Sequence, residues 1–257
     1  MSPLLTLATL LVAAATGYIL GSVPSGVLVA RLWGKDPRHT GSGRTGGTNV
    51  YRTAGFGAAA LTVSLDFLKG FFAVEIALFV ADAISGSVQL MGPEGVAVPL
   101  AGAIAGLTAI LGHNHSVFLR FRGGAGSTPN LGAAFALFPW LAVFGLAVSL
   151  AVLFGARYAS AASLTLSAIL AGGITLLVVR GEPVALLVYA IGQLALVVWA
   201  LRPNIARLRA GTERKIGWGA GSGQGPAGPN GEATTQGDTG DEDDLDGDTA
   251  DTPPEPS

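Results

Sequence analysis

No cysteine occurs anywhere in the 257 residues. That excludes a disulfide framework, a thiolate zinc site and a cysteine nucleophile. Charge is scarce too: 12% of the residues are Asp, Glu, Lys or Arg, against about 25% in soluble domains. Aromatic residues make up 7%, and only three histidines occur. With so few histidines and no carboxylates converging on them, no metal site is expected. His-Asn-His at 113–115 is read as chance resemblance to a nuclease signature, and nothing points to nucleic acid. What fills the chain is apolar: half the residues are hydrophobic and the mean hydropathy is +0.53. Long apolar runs with few charges read as membrane spans.

The charge that exists is unevenly placed. Residues 219–257 hold ten acids and no base, which leaves seven acids against fifteen bases, a net +8, in residues 1–218. The reading is therefore a membrane domain over 1–218 and a disordered acidic Gly/Pro-rich tail over 219–257, with too little apolar surface to fold. "EDDLDGD" in that tail lacks the first-position Asp and twelfth-position Glu of a calcium loop. The N-terminus has no basic region before its apolar run and reads as a first span, not a removable signal.

Hydrophobic blocks fall at 3–32, 54–84, 96–112, 131–155, 159–179 and 183–201. The fold class is thus all-α, a polytopic membrane protein with six or seven transmembrane helices by hydropathy and cytoplasmic glycine-rich loops. Segments 31–53, 113–130 and 202–215 are basic, whereas 85–95 has no base. The positive-inside bias puts the three basic segments in the cytoplasm, the N-terminus outside and the C-terminus inside. That arrangement needs an odd number of crossings. Either 54–84 divides, or a later block is re-entrant.

Two polar segments share one composition. "GSGRTGGTNVYR" at 41–52 combines four glycines, small hydroxyls and two arginines. "FRGGAGST" at 121–128 repeats the theme with Arg122, Gly123, Gly124 and Gly126. Backbone N–H groups and cations in such loops suit a phosphate, and the two read as facing walls of one anion site. Asp66 and Lys69 lie inside an apolar block at i, i+3, where they share a helix face and can pair. Ser160 and Ser163 sit at a packing spacing for membrane helices, and residues 202–216 suit an amphipathic surface helix.

Together the segments resemble the bacterial integral-membrane acyl-phosphate:glycerol-3-phosphate acyltransferase family. The pieces are "GSVPSG" at 21–26, "GSGRTGGTNVYR", "DFLKG" at 66–70, "GHNHSVFLRFRGGAG" at 112–126, "RYASAAS" at 157–163 and "NIARLRAGTE" at 204–213. The resemblance implies a seven-helix enzyme of the bacterial inner (plasma) membrane with its site at the cytoplasmic face. It implies acyl transfer from acyl phosphate to glycerol 3-phosphate beside the lipid bilayer, without cofactor, metal or protein nucleophile. It assigns Ser42, Arg52, Ser160 and Asn204 to catalysis. Thr48, Asn49 and Lys69, which match the family motifs, and Gly41, Gly43, Arg44, Arg122, Gly123, Gly124 and Gly126, read from the composition of the two loops, are expected on substrate phosphate, with Asp66, His113, Asn114 and Glu213 in support.

Three positions depart from the family pattern. Ala125 stands where the resemblance implies a phosphate-binding Lys, Leu201 where it implies His, and Arg44 where it implies Asn. The leading reading is an active enzyme in which Arg44 supplies the cation missing at Ala125. Two others stay open at this level: a catalytically impaired or altered-substrate paralogue binding a phosphate-bearing lipid, and a small-anion transporter.

Overall fold

The computed structural model describes residues 3–85 and 97–217; the 85–95 segment, beyond residue 85, and the acidic tail lie outside the described residues. Among the described residues the fold is all-helical, with a single isolated bridge, Ser116 to Arg122, and no strand. The helices are α1 (Pro3–Ser22), α2 (Ser25–Leu32), α3 (Gly47–Ser85), α4 (Ala97–Asn114), α5 (Ser127–Leu137), α6 (Pro139–Ala156), α7 (Ala159–Val179) and α8 (Leu186–Arg209). One 3₁₀ turn, Val117–Leu119, lies between α4 and α5.

Large apolar side chains point outward, among them Phe79, Trp140 and Val179 at 75–87% exposure. The interior holds mostly small residues, from Ala101 and Ala103 to Ala133 and Ala142. A chain with its bulk outside and its small residues inside is built for a lipid solvent, where close backbone approach drives helix association. Among the described residues four segments are long and apolar enough to cross a membrane: Leu4–Leu32, Pro139–Ala156, Ala159–Val179 and Leu186–Arg209. α4 supplies a shorter apolar helix.

Glycine sets the α1–α4 contact. A Cβ on Gly17 would overlap the Ala105 carbonyl, one on Gly21 the Ala109 backbone, and one on Gly112 the Tyr18 carbonyl. Contacts thus rise together along both chains, so α1 and α4 run parallel, joined through a Gly-x-x-x-Gly face.

The expected blocks change in two places. Block 54–84 does not divide into two spans: it forms the long part of α3. The helix instead breaks at its start, at Gly55, whose φ of 85° and ψ of −175° only glycine adopts freely. There the first two turns fold back, which brings Gly47 against Ala59 and Val63. Block 131–155 is the one that breaks. Phe138 leaves helical geometry and Pro139 starts α6, because proline cannot continue α5 and suits a first helical position. The 11 residues of α5 reach about 16 Å, short for a ~30 Å hydrocarbon core; α5 and α7 begin at the same end of the bundle, so α5 carries the chain away from that end and α6 returns it. Likewise, residues 202–209 form no separate surface helix: α8 runs through Pro203 to Arg209.

Deep in the bundle, Asn130 of α5 donates to Gln193 of α8 (2.7 Å) and to Ser167 of α7 (3.3 Å). Tyr189 returns a bond to Asn130 Oδ1 at 2.7 Å, and Gln193 donates to the Ser167 carbonyl at 2.9 Å. Every polar side chain in this buried set has a partner, the condition under which such a network fixes one packing.

Candidate active site

One end of the bundle opens into a cavity of about 430 Å³. Three helices begin on its wall: α3 with Gly46, Gly47 and Thr48, α5 with Gly126, Ser127 and Thr128, and α7 with Ala159 and Ser160. The first N–H groups of a helix have no partner within it and carry the positive end of its dipole. Three such ends aimed at one space favour an anion. Arg44, Arg52, Arg207 and Arg214 line the same space, against one carboxylate, Glu213.

The first wall is folded by Asn49. Its Oδ1 accepts the Ser42 backbone N–H at 2.9 Å. Its Nδ2 donates to the carbonyls of Pro37, Thr40 and Arg44 at 2.8–3.1 Å. Expected on a substrate phosphate, Asn49 is instead the buried clamp of the 37–44 loop, with its donors already spent. Gly41 fits because a Cβ there would overlap Asn49 Oδ1, and its φ is 59°. Gly43 also has positive φ but lies off the cavity wall. The Ser42 hydroxyl, Thr48 and Arg52 remain on it.

The second wall is carried by α4. Gly124 N–H bonds the His113 carbonyl at 3.0 Å, and Cβ atoms on Gly123 and Gly124 would overlap the His113 carbonyl and imidazole. These two glycines therefore serve close packing against α4. Neither lines the cavity; Ala125 and Gly126 do. Arg122, expected on substrate phosphate, is exposed and stands off the cavity wall. Gly126, with φ 78°, turns the chain into α5. The Asn114 amide is buried against that glycine.

Lys69, expected on substrate phosphate, does not line the cavity. An ammonium has three N–H donors. Those of Lys69 meet Asp66 Oδ1 at 2.8 Å, His113 Nδ1 at 2.8 Å and the Val23 carbonyl at 3.1 Å. Asp66 and Lys69 are buried, so the pair expected from i, i+3 spacing is present. Its work is to tie α3, α4 and the α1–α2 turn together, and no donor is left for phosphate. His113, held through Nδ1, supports both the triad and the second wall.

The third wall centres on Glu213. α8 ends in a turn in which Gly211 (φ 70°) and Thr212 donate back to the carbonyls of Leu208 and Arg207, a standard glycine C-terminal motif. The chain then folds back, fastened by Ile216 N–H to the Arg157 carbonyl (2.8 Å) and Arg157 Nε to the Ile216 carbonyl (2.9 Å). Glu213 Oε1 accepts Ser160 (2.9 Å) and Asn204 (2.7 Å), and Oε2 accepts Arg207 Nε (2.8 Å). Burial pushes its carboxyl up, but the three hydrogen bonds outweigh this and hold it below its ordinary value. A carboxylate so held is an organiser and a poor proton acceptor.

Arg44 reaches from the first wall to the third and bonds the Ala200 carbonyl of α8. Burial, then the neighbouring Arg207, draws its guanidinium below its ordinary value, with Glu213 pulling back. Arg52 is shifted the same way, by burial and then by Arg214. Ala125, Leu201 and Arg44 all line this cavity. Arg207 and Arg214 were not anticipated, although Arg207 sits one turn beyond Asn204, on the same face of α8. Ser127 was also missed as a site residue; its hydroxyl and Asn204 Oδ1 are buried and bond no protein group.

Known proteins share this architecture. The family model for glycerol-3-phosphate acyltransferase matches residues 11–211. A glycerol-3-phosphate acyltransferase of Thermus thermophilus is 42% identical over 203 residues, covering 78% of this chain and 92% of that one. Glycerol-3-phosphate acyltransferase 3 of Dehalococcoides mccartyi is 42% identical over 215 residues, covering 82% and 97%. Crystal structures of the integral membrane enzyme PlsY superpose on the fold. Its glycerol 3-phosphate form matches at TM-score 0.69 and 36% identity, over 81% of this chain and 96% of that chain. Its lysophosphatidic acid form matches at 0.66 and 34%, over 81% and 95%. An anion cavity ringed by helix N-termini in a multi-pass membrane fold, matched over nearly the whole described chain, leads to one assignment: the chain belongs to the glycerol-3-phosphate acyltransferase family.

Proposed function

We propose that this glycerol-3-phosphate acyltransferase draws its acyl group from acyl phosphate and performs the transfer in the cavity described above. The carrying observation is the convergence of three helix N-termini and four arginines on one space. Both substrates bear phosphate, so a site with this excess of positive potential suits two anions at once. The glycerol hydroxyl attacks the acyl carbon, the bond from that carbon to the phosphate oxygen breaks, and the hydroxyl proton leaves with the phosphate. The products are 1-acylglycerol 3-phosphate and inorganic phosphate. No side chain forms a covalent intermediate, and Glu213, held ionised by three donors, does not act as base. The protein contributes alignment and charge stabilisation.

Ser42, Thr48 and Arg52 hold one phosphate with the start of α3. Arg44, Arg207 and the N–H groups that open α5 hold the other, so Arg44 takes the place of the cation absent at Ala125. Asn204 and Ser127 line the space left for the glycerol moiety. The basic cavity end faces the cytoplasm of the plasma membrane, with the N-terminus outside and the C-terminus inside. Nothing observed favours a transporter or a non-catalytic paralogue.

The test is donor choice. Purified protein is given glycerol 3-phosphate with acyl phosphate, or with the acyl thioester of coenzyme A. The reading requires one inorganic phosphate per ester formed from acyl phosphate and no turnover of the thioester. Turnover of the thioester alone would overturn it.

A further inference from the structure

The turn between α4 and α5 holds uncommon backbone. Arg120 and Phe121 have φ of 53° and 61°, the left-handed region, which an aromatic side chain keeps only where its surroundings impose it. The surroundings do so here. Ser116 N–H bonds the Arg122 carbonyl (3.3 Å) and Phe121 N–H bonds the Ser116 carbonyl (2.8 Å). The buried Ser116 hydroxyl donates to the Ser22 carbonyl, and Tyr18 donates to the His115 carbonyl at 2.9 Å.

So fastened, the turn shows its apolar side chains to the outside. Val117, Phe118 and Phe121 are 46%, 60% and 64% exposed. Arg120 and Arg122 are exposed among them, and neither pairs with a carboxylate of the described residues. A soluble turn gains nothing by spending backbone strain to display two phenylalanines. A turn at a membrane surface does: aromatic and aliphatic groups enter the acyl boundary while cations meet lipid phosphates. The place is right. The 18 residues of α4 reach about 27 Å, close to a ~30 Å hydrocarbon core, so the turn emerges at the edge of the bilayer.

We propose that residues 117–122 form an anchor in the surface of the surrounding bilayer. Val117, Phe118 and Phe121 sit at the headgroup–acyl boundary, and Arg120 and Arg122 bind the phosphates of anionic lipids. The chain runs on from the anchor into Gly123–Ser127, so the anchor also fixes the second wall of the cavity at the membrane surface. This does not depend on the chemistry proposed for the cavity.

The chain's lack of cysteine makes the test direct. A nitroxide is attached to Phe118→Cys and, as a water-facing reference, to Lys35→Cys. Each is placed in vesicles of phosphatidylcholine with phosphatidylglycerol, or of phosphatidylcholine alone. Accessibility to oxygen and to a water-soluble nickel complex is read without substrates, so inactivity of the enzyme would not affect the result. The expected result is several-fold lower nickel accessibility at 118 than at 35. That shielding should weaken without phosphatidylglycerol and in an Arg120→Gln/Arg122→Gln background. Equal accessibility at the two sites would overturn insertion. Shielding indifferent to lipid charge and to the arginines would overturn the anionic partner. Shielding that grows with protein-to-lipid ratio would place a second copy of the chain on the turn instead.

Discussion

At the scale of single residues, the cavity separates groups that can meet a substrate from groups that hold the wall in place. Ala125 and Arg44 belong to the first kind. If the pocket is intact and under-charged at position 125, Ala125→Lys adds a charge-assisted contact of ~1.5–3 kcal/mol. A contact realised in the transition state then raises kcat/KM by one to two decades, read from initial rates of acyl transfer. Lys69 belongs to the second kind. Lys69→Met breaks a buried pair and leaves Asp66 uncompensated, at a cost of about 3–5 kcal/mol. It should lower the midpoint of thermal unfolding in detergent; a loss of activity with an unchanged midpoint would return Lys69 to phosphate binding. Glu213 adds a pH dependence. Its folded-state pKa lies below its ordinary value, so its contribution is complete above the ordinary carboxylate range and is lost as pH falls from there through the lower folded-state value. Glu213→Gln should flatten the acid limb of a stability–pH profile and lower kcat/KM at neutral pH by about tenfold, the equivalent of one charged hydrogen bond. Only part of the cavity lining is readable in the sequence: glycines, hydroxyls and arginines announce anion chemistry, yet Gly43, Arg122, Gly123 and Gly124 stand off the wall while Arg207 and Arg214 join it. The sequence did not reveal the division of labour. Nothing local to Asn49 says that four partners will consume its amide, or that three acceptors will surround Lys69, since those partners lie up to 46 residues away.

At the scale of elements, small residues decide where helices meet. The α1–α4 contact leaves no room for a side chain at Gly21, whose Cβ would overlap the Ala109 backbone. Gly21→Val therefore forces the helices apart, at a cost of about 1–3 kcal/mol for an overfilled contact. The expected outcome is a lower unfolding midpoint in detergent; no change would contradict the packing. The helix breaks differ in legibility. The one at Phe138–Pro139 carried a signal, since proline in the middle of an apolar block favours a boundary. The reversal at Gly55 carried little. "TAGFG" reads as ordinary membrane helix, and only the packing of Gly47 on Ala59 and Val63 requires the turn. α8 went the other way: the apolar block stops at 201, but the helix continues through Pro203 and carries Asn204 and Arg207 to the cavity.

At the scale of the molecule, the bundle gathers three helix N-termini at one end and places every departure from the family pattern on one cavity wall or another. Leu201 and Ala125 stand there where the resemblance implies polar side chains, and Arg44 brings a charge where it implies Asn. In the proposed function this cavity performs the acyl transfer and Arg44 restores the charge it needs. The measurement that bears on it most directly compares wild-type protein with Arg44→Ala, purified and supplied with acyl phosphate and glycerol 3-phosphate. The account predicts turnover by the wild type and a fall in kcat/KM of about 10–100-fold in the variant, the loss of one buried charged contact, with the unfolding midpoint largely kept. Wild-type rates in Arg44→Ala, or no transfer by either protein, would contradict it.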